Sequence, residues 1–254
     1  MTLPFPHPSA LQPGLTLSRC TPADVQGMAS VFLAAFAGSD FTYWWSPSLP
    51  AMRAWNTARF AARFRDPRTQ QFKVVDDASG DVVAFAKWVP PRPMVGLRRG
   101  FVVYDEAGRE VKGDGVGVEK GEGDGSGDGE KWRKITAPPE GADHELYYEF
   151  FEGLKRMGEK WDTKNKLVLS IICANPAYQG RGIASALIKS VLDVADTEGI
   201  PAYLEALPLA APLYRRHGFT TIDKLEYDMS KTGREGKAVL DIMIREPQGA
   251  PEKA

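Results

Sequence analysis

The spacing of apolar positions changes repeatedly along the chain, and each change marks an element. Leu15-Thr-Leu-Ser-Arg-Cys20 alternates with the two-residue period of a half-buried strand. Thr21-Pro22-Ala23-Asp24 then supplies an N-cap, a proline suited to the first helical turn and a capping-box acid, so a helix is expected through about Ala37. A second helix is expected over about Ala51 to Asp66, ended by Pro67. Gln71 to Asp76 and Val82 to Val89 read as strands joined by the turn Asp77-Ala-Ser-Gly-Asp81. Farther on, Tyr147, Phe150, Phe151, Leu154 and Met157 recur at helical spacing within 143–160. Lys166 to Ala174 is apolar and β-branched enough for a buried strand. Ile183, Ala186, Leu187, Val191, Val194 and Ala195 mark one face of a helix over 182–198, stopped by Gly199. A strand over 201–206, a short helix over 208–217 and a strand pair over 219–229 and 238–245 complete the series. The strand-helix-strand order calls for one crossover connection, and the fold class is mixed α/β.

Two stretches carry no such period. Residues 1–14, with Pro4, Pro6, Pro8 and Pro13, read as an extended N-terminal tail. From about Pro90 to Gly141 the pattern fails. Within that region 112–131 sets glycine between Asp, Glu and Lys, a composition that buries too little apolar area to offset chain entropy. The expected organisation is one domain over 15–246 with a disordered insertion at about 112–131 and a C-terminal tail over 247–254. Asp124-Gly-Ser-Gly-Asp128-Gly129 begins like a calcium loop, but its twelfth position is Ile135, where a bidentate glutamate is required.

At 254 residues, with 43% hydrophobic and 26% charged positions, the composition is that of an ordinary soluble domain. The formal net charge of -1 lacks the basic surplus of a protein that binds by neutralising phosphates, so nucleic acid is not an expected partner. Two cysteines, Cys20 and Cys173, are too few for a disulfide framework or a four-thiolate metal site. No basic segment leads into an apolar run, and no apolar stretch reaches the ~20 residues of a membrane span. A cytoplasmic location is expected, with the nucleus left open and no membrane partner.

Chemistry concentrates in Asn175-Pro-Ala-Tyr-Gln179-Gly180-Arg181-Gly182-Ile183-Ala184, between the expected strand and helix. Glycines at 180 and 182 let the backbone turn sharply and approach a ligand, and they leave the first amides of the next helix unobstructed. Such a helix start holds anions, a pyrophosphate among them. The common nucleotide loops do not fit. No G-x-x-x-x-G-K-[ST] string occurs, and Gly180-Arg-Gly182-Ile-Ala-Ser185 has serine where a dinucleotide fingerprint has its third glycine. His144-Glu-Leu-Tyr-Tyr148 has tyrosine where a zinc-protease helix needs its second histidine, and Ser126 lacks the preceding glycine of a nucleophile elbow. No metal site is expected.

What the stretch does resemble is the acetyl-CoA loop of the GCN5-related N-acetyltransferase (GNAT) family, [RQ]-x-x-G-x-[GA], which Gln179-Gly-Arg-Gly182-Ile-Ala184 meets at every position. Ile172-Cys-Ala-Asn-Pro176 is similar to that family's pantetheine-binding strand and the proline after it. Tyr203-Leu-Glu205-Ala206 resembles its fifth strand, and Leu213-Tyr214-Arg-Arg-His-Gly218-Phe219 its L-Y-x-x-x-G-F signature. The resemblance spans about Leu15 to Arg245 apart from the insertion. The Leu-Glu-Ala run with its proline-containing loop most resembles an uncharacterised fungal branch. This implies a mostly antiparallel mixed sheet, splayed between its fourth and fifth strands and flanked by helices.

The resemblance also implies an activity, the transfer of an acetyl group from acetyl-CoA to a primary amine by direct attack on the thioester. Gln179, Gly180, Arg181, Gly182, Ile183, Ala184 and Ser185 would hold the diphosphate, although Arg181 reads equally as a solvated arginine. The edge at Ile172, Cys173 and Ala174 would pair with pantetheine, and an amide at Cys173 or Ala174 would face the acyl oxygen. Tyr214 is similar to the tyrosine that gives a proton to the departing thiolate, a task that suits a phenol with a reference pKa of about 10. Its other reading is a side chain packed at a helix start. Glu205 is the candidate base, or else it bonds exposed backbone at the splay. Many family members place an asparagine before the tyrosine, and 207–213 has none. The Cys173 thiol, on a buried strand, is expected to be inert.

Phe41-Thr-Tyr43-Trp44-Trp45 lies where the family shapes its acceptor site. Tyr43 and Trp44 are therefore candidate contacts for an apolar or aromatic amine, or else core packing. The expected acceptor is a small molecule. A protein lysine or N-terminus is the alternative within enzymes, and a non-catalytic acyl-CoA-binding or sensing protein is the alternative of another class. A monomer or weak homodimer is expected.

Overall fold

The computed structural model describes residues 2–111 and 137–249, so the expected insertion at 112–131 lies outside the described residues. Its elements follow the sequence closely. In chain order they are β1 (Leu15–Arg19), α1 (Val25–Phe36), α2 (Leu49–Arg63), β2 (Gln70–Asp76), β3 (Val82–Val89), β4 (Val103–Tyr104) and β5 (Glu110–Val111). There follow α3 (His144–Lys160), β6 (Leu167–Ala174), α4 (Ile183–Thr197), β7 (Ala202–Ala206), α5 (Ala211–Arg216), β8 (Thr220–Asp228) and β9 (Lys237–Arg245).

Local chemistry sets the helix starts. The Thr21 amide donates to the Asp24 carboxylate at 2.7 Å, closing a capping box around a single tight turn before α1. Ser48 and Asp143 accept from Ala51 and Leu146, so α2 begins two residues before the expected Ala51.

Seven strands form one sheet in the order β1-β2-β3-β6-β7-β9-β8, and β4 with β5 makes a separate ribbon. Every neighbour in the large sheet is antiparallel except β6 and β7, which run parallel because α4 carries the chain across between them. On one face α4 packs Ile183, Leu187 and Val191 against Leu167, Leu169 and Leu204. The other face is covered in two parts. Met28, Phe32 and Phe60 of α1 and α2 meet Phe85, whereas Phe150 and Leu154 of α3 meet Tyr203, Tyr227 and Ile242. Burial of each such side chain contributes about 1.5–3 kcal/mol.

The first residues form no regular element, as an extended segment should, yet they are anchored. Phe5 is buried with its ring 5.1 Å from Phe72, and Arg19 Nε donates to the Thr2 carbonyl at 3.2 Å. Leu3 and Leu11 pack on the same core, so order begins well before Leu15. At the other end of the domain Arg245, only 4% exposed, makes a bidentate bond to Asp196 of α4 at 2.6 and 2.7 Å.

The parallel pair is short. Its partners are Leu167 with Ala202, Val168 with Tyr203 and Leu169 with Leu204. The next β6 residue, Ser170, is a bulge: against β3 the register passes from Leu169–Trp88 to Ile171–Lys87 and leaves Ser170 unopposed. Beyond it β6 stays on β3 as far as Ala174 while β7 stays on β9, and the sheet opens between them.

Candidate active site

The loop after β6 folds as its glycines require. Gly180 and Gly182 take φ of +77° and +76°, a region that costs other L-residues about 1–2 kcal/mol, and Gly182 becomes the N-cap of α4. The first bond of that helix comes from Ala186 to the Gly182 carbonyl. Among the described residues the amides of Gly180, Arg181, Gly182, Ile183, Ala184 and Ser185 have no acceptor. A run of unpaired donors at a helix N-terminus is a built anion cradle. Gln179 and Arg181 are exposed at its rim, and the Arg181 guanidinium lies 4.7 Å over the Tyr178 ring. Tyr178 is itself tied to Asp76 by a 2.7 Å bond. The Ser185 hydroxyl is engaged by His217 Nε2 at 3.1 Å, which leaves its amide for the cradle.

The strand before the cradle offers a free edge. Asn175 N–H donates to the Val83 carbonyl at 2.8 Å, and amides alternate in direction along a strand. Cys173 N–H therefore turns toward β3, whereas Ile172 and Ala174 turn theirs toward the opening. Of the two amides proposed to face an acyl oxygen, Cys173 is excluded and Ala174 turns outward near the cradle, whereas Ile172 is the outward amide that borders the cavity at the opening. The Cys173 thiol is buried, which pushes its pKa well up and makes it a poor nucleophile.

Where the sheet opens there is a cavity of about 260 Å³. Its walls are aromatic: Phe32, Phe36, Trp44, Trp45, Phe150 and Phe151 contribute rings, and Ser170, Ile171 and Ile172 of the free edge form one side. Glu205 and Tyr214 line it as well. Glu205 shares a face of β7 with Tyr203, and enclosure by the protein pushes its carboxyl up to about 7, with the Tyr203 hydroxyl pulling the other way. That hydroxyl is buried without a well-formed hydrogen bond of its own. Glu205 also borders a second cleft of about 490 Å³ between β7 and α3, beside Lys155, Glu159 and Lys164. Tyr214, in α5, is buried, which pushes its pKa up, and its hydroxyl has no hydrogen-bond partner among the described residues.

The aromatic stretch divides. Trp44 reaches the cavity, but Tyr43 does not line it: its ring packs 5.9 Å from Tyr227 and 6.4 Å from Phe41, behind the wall. Tyr43 is thus a packing residue, because the tight turn over 40–42 aims neighbouring side chains in different directions. Sequence reasoning also missed two lining residues, Arg59 and Arg63 of α2. Their signal was present as two arginines one helical turn apart in a helix that has no acidic residue. Among the described residues no cluster of His, Cys, Asp and Glu could hold a metal ion, and no helix is long and apolar enough to cross a membrane.

A mixed sheet opened between two parallel strands, with an amide cradle at the start of the crossover helix, defines the fold class of the GNAT acetyltransferases. A solved mosquito arylalkylamine N-acetyltransferase-like protein has this fold, with a TM-score of 0.55 over 91% of this chain and 99% of that one at 11% identity. Residues 149–219 match the acetyltransferase (GNAT) family. Two uncharacterised N-acetyltransferases of the fungus Schizosaccharomyces pombe are similar in sequence, one 37% identical over 71 residues and the other 28% identical over 103. Those matches cover 28% and 39% of this chain but only 27% and 42% of the relatives, so the chain spans less than half the length of either.

Proposed function

We propose that the protein is an acetyl-CoA-dependent N-acetyltransferase whose acceptor is a small primary amine. The observation that carries this reading is the continuity of the free β6 edge with the unpaired amides of Gly180 to Ser185, next to a cavity bordered by Glu205 and Tyr214. The cradle fits a diphosphate, and the outward amide of Ala174, at the cradle end of the free edge, fits an amide group of an extended pantetheine arm. The acetyl thioester supplies an activated carbonyl carbon.

Residues of the chain then have distinct tasks. Glu205, in its ionised form, takes the proton that the amine nitrogen gives up as its bond to the carbonyl carbon forms. The second cleft, open on the other side of Glu205, offers that proton a way out. Ile172 N–H, which borders the cavity, stabilises the negative charge that develops on the carbonyl oxygen. As the carbon–sulfur bond breaks, the Tyr214 phenol gives its proton to the leaving thiolate. Burial keeps that phenol protonated until a strong base appears beside it. A cavity of about 260 Å³ walled by aromatic rings fits a small molecule.

Calorimetry with coenzyme A and acetyl-CoA, run beside a thiol-release assay over an amine panel, tests the proposal. Binding accompanied by turnover on small amines is expected. Binding with no turnover on any amine would make the protein a sensor of acyl-CoA instead, and selective turnover on peptides would move the acceptor to protein.

A further inference from the structure

We infer that the amine acceptor also carries a carboxylate, which Arg59 and Arg63 hold in the aromatic cavity. This rests on the acetyl-transfer reading of the same site. Both arginines line that cavity from α2, on a different element from Glu205 and Tyr214. Neither has a carboxylate within ion-pairing distance among the described residues. The one hydrogen bond of the Arg59 guanidinium goes to Asn56 Oδ1 at 2.9 Å, and the Arg63 guanidinium makes none. Each lies over an aromatic ring instead, Arg59 at 4.2 Å from Trp55 and Arg63 at 4.9 Å from Phe60.

Such an arrangement is costly without a further partner, because two enclosed cations repel each other and have lost much of their hydration. Burial, followed for Arg63 by the charge of Arg59, lowers the pKa of both. Lys87, on the strand beneath, feels the same two cations, and burial followed by the charges of Arg63 and Arg59 pushes its pKa well down. The acid nearest to it electrostatically, Asp66, is already bound in bidentate fashion by Arg68 at 2.9 and 3.0 Å. The donors in the cavity wall define the missing group. Arg59 Nε, Arg63 Nη1 and Trp44 Nε1 are all buried without a partner, and guanidinium and indole only donate. Their complement is a group that only accepts and is negative, and the planar guanidinium fork matches a carboxylate. The surrounding rings give the rest of the acceptor an apolar or aromatic body. An amino acid with a large apolar side chain has this combination of groups.

The same carboxylate could instead arrive on the acyl chain, as in a succinyl group, and the test separates these sources. Thiol release from acetyl-CoA is measured with phenylalanine and with phenethylamine, which differ by the carboxylate alone. The full-length protein should favour phenylalanine in kcat/KM by about tenfold or more, as expected for charge-assisted bonds. In Arg63→Met and Arg59→Met that ratio should fall toward one, chiefly through KM. Calorimetry gives a readout independent of turnover: 3-phenylpropanoate should bind about tenfold or more tighter than 3-phenylpropanamide. Equal treatment of charged and neutral probes by an active wild-type enzyme overturns the inference, whether or not the variants fold. A preference for succinyl-CoA over acetyl-CoA with phenethylamine overturns it too, by assigning the carboxylate to the donor. Loss of coenzyme A binding and of thiol release with every amine would instead defeat the acetyl-transfer reading.

Discussion

Glu205 and Tyr214 line the same cavity from different elements, β7 and α5, at the place where the sheet opens. Enclosure acts on them in one direction, raising both pKa values, yet it suits them to opposite tasks. A carboxylate brought up to about 7 becomes a useful base near neutrality, while a phenol raised from its usual value stays protonated throughout the neutral range.

The pH dependence follows from Glu205. As the proposed base its carboxyl must be ionised, so kcat/KM should climb with pH and level off above about 7, and Glu205→Gln should lose that limb along with ~10²–10⁴-fold in rate. Stability should run the other way. The native carboxyl holds a proton that the unfolded one releases, so between about 4.5 and 7 the fold weakens as pH rises. Glu205→Gln removes that loss, worth up to ~3 kcal/mol at pH 8. Denaturant titrations of both proteins at pH 5 and pH 8 measure it, and an identical pH response in the two would contradict the assignment.

Tyr214→Phe deletes one hydroxyl and keeps the ring that packs against Phe219. Turnover should fall by ~10²-fold or more while coenzyme A affinity stays within about twofold. Full activity in this variant would remove the phenol from the chemistry.

Gly182→Val tests the cradle. A side chain there meets nothing nearer than the Ala10 carbonyl at 3.9 Å, so no clash arises, but valine at φ +76° is strained by about 1–2 kcal/mol. The loop should relax and its amides turn away. Circular dichroism should be unchanged while calorimetry shows coenzyme A binding weakened by about tenfold or more. Unaltered affinity would place the diphosphate elsewhere.

How far the sequence could be read depended on the range of the interaction involved. Gly180, Gly182, Glu205 and Tyr214 sit in short motifs whose geometry is local, and the structure places all four around the opening or its cradle. The helix caps and strand periods were legible for the same reason. Ser170 was not, because a bulge is a property of two paired strands and only the register against β3 exposes it. Arg59 and Arg63 were missed because the direction in which α2 turns its face depends on the sheet beneath it. Phe5 among its prolines looked like tail until Phe72, distant in sequence, supplied its partner.

Asp196→Asn tests the tie between α4 and the end of β9. It leaves Arg245, 4% exposed, facing a neutral group, and should cost about 3–5 kcal/mol in a urea titration. Burial pushes the Asp196 carboxyl up, but the Arg245 bonds and the Gln248 amide outweigh it and hold the group below the usual range. Its contribution is therefore complete above about pH 4 and fades as acid brings the pH down through the lower native value. The variant should lack that acid-sensitive component, and a wild-type-like response to acid would show that the pair contributes little.

The opening beyond Leu169 means that a strand in the interior of the sheet behaves there like one at its margin. Deuterium should enter quickly at the amides of Ile172 and Ala174 and slowly at those of the neighbouring rungs, which are locked into ladders. A guest that zips onto this strand would reverse that contrast, so exchange at two backbone positions reports occupancy without any turnover assay.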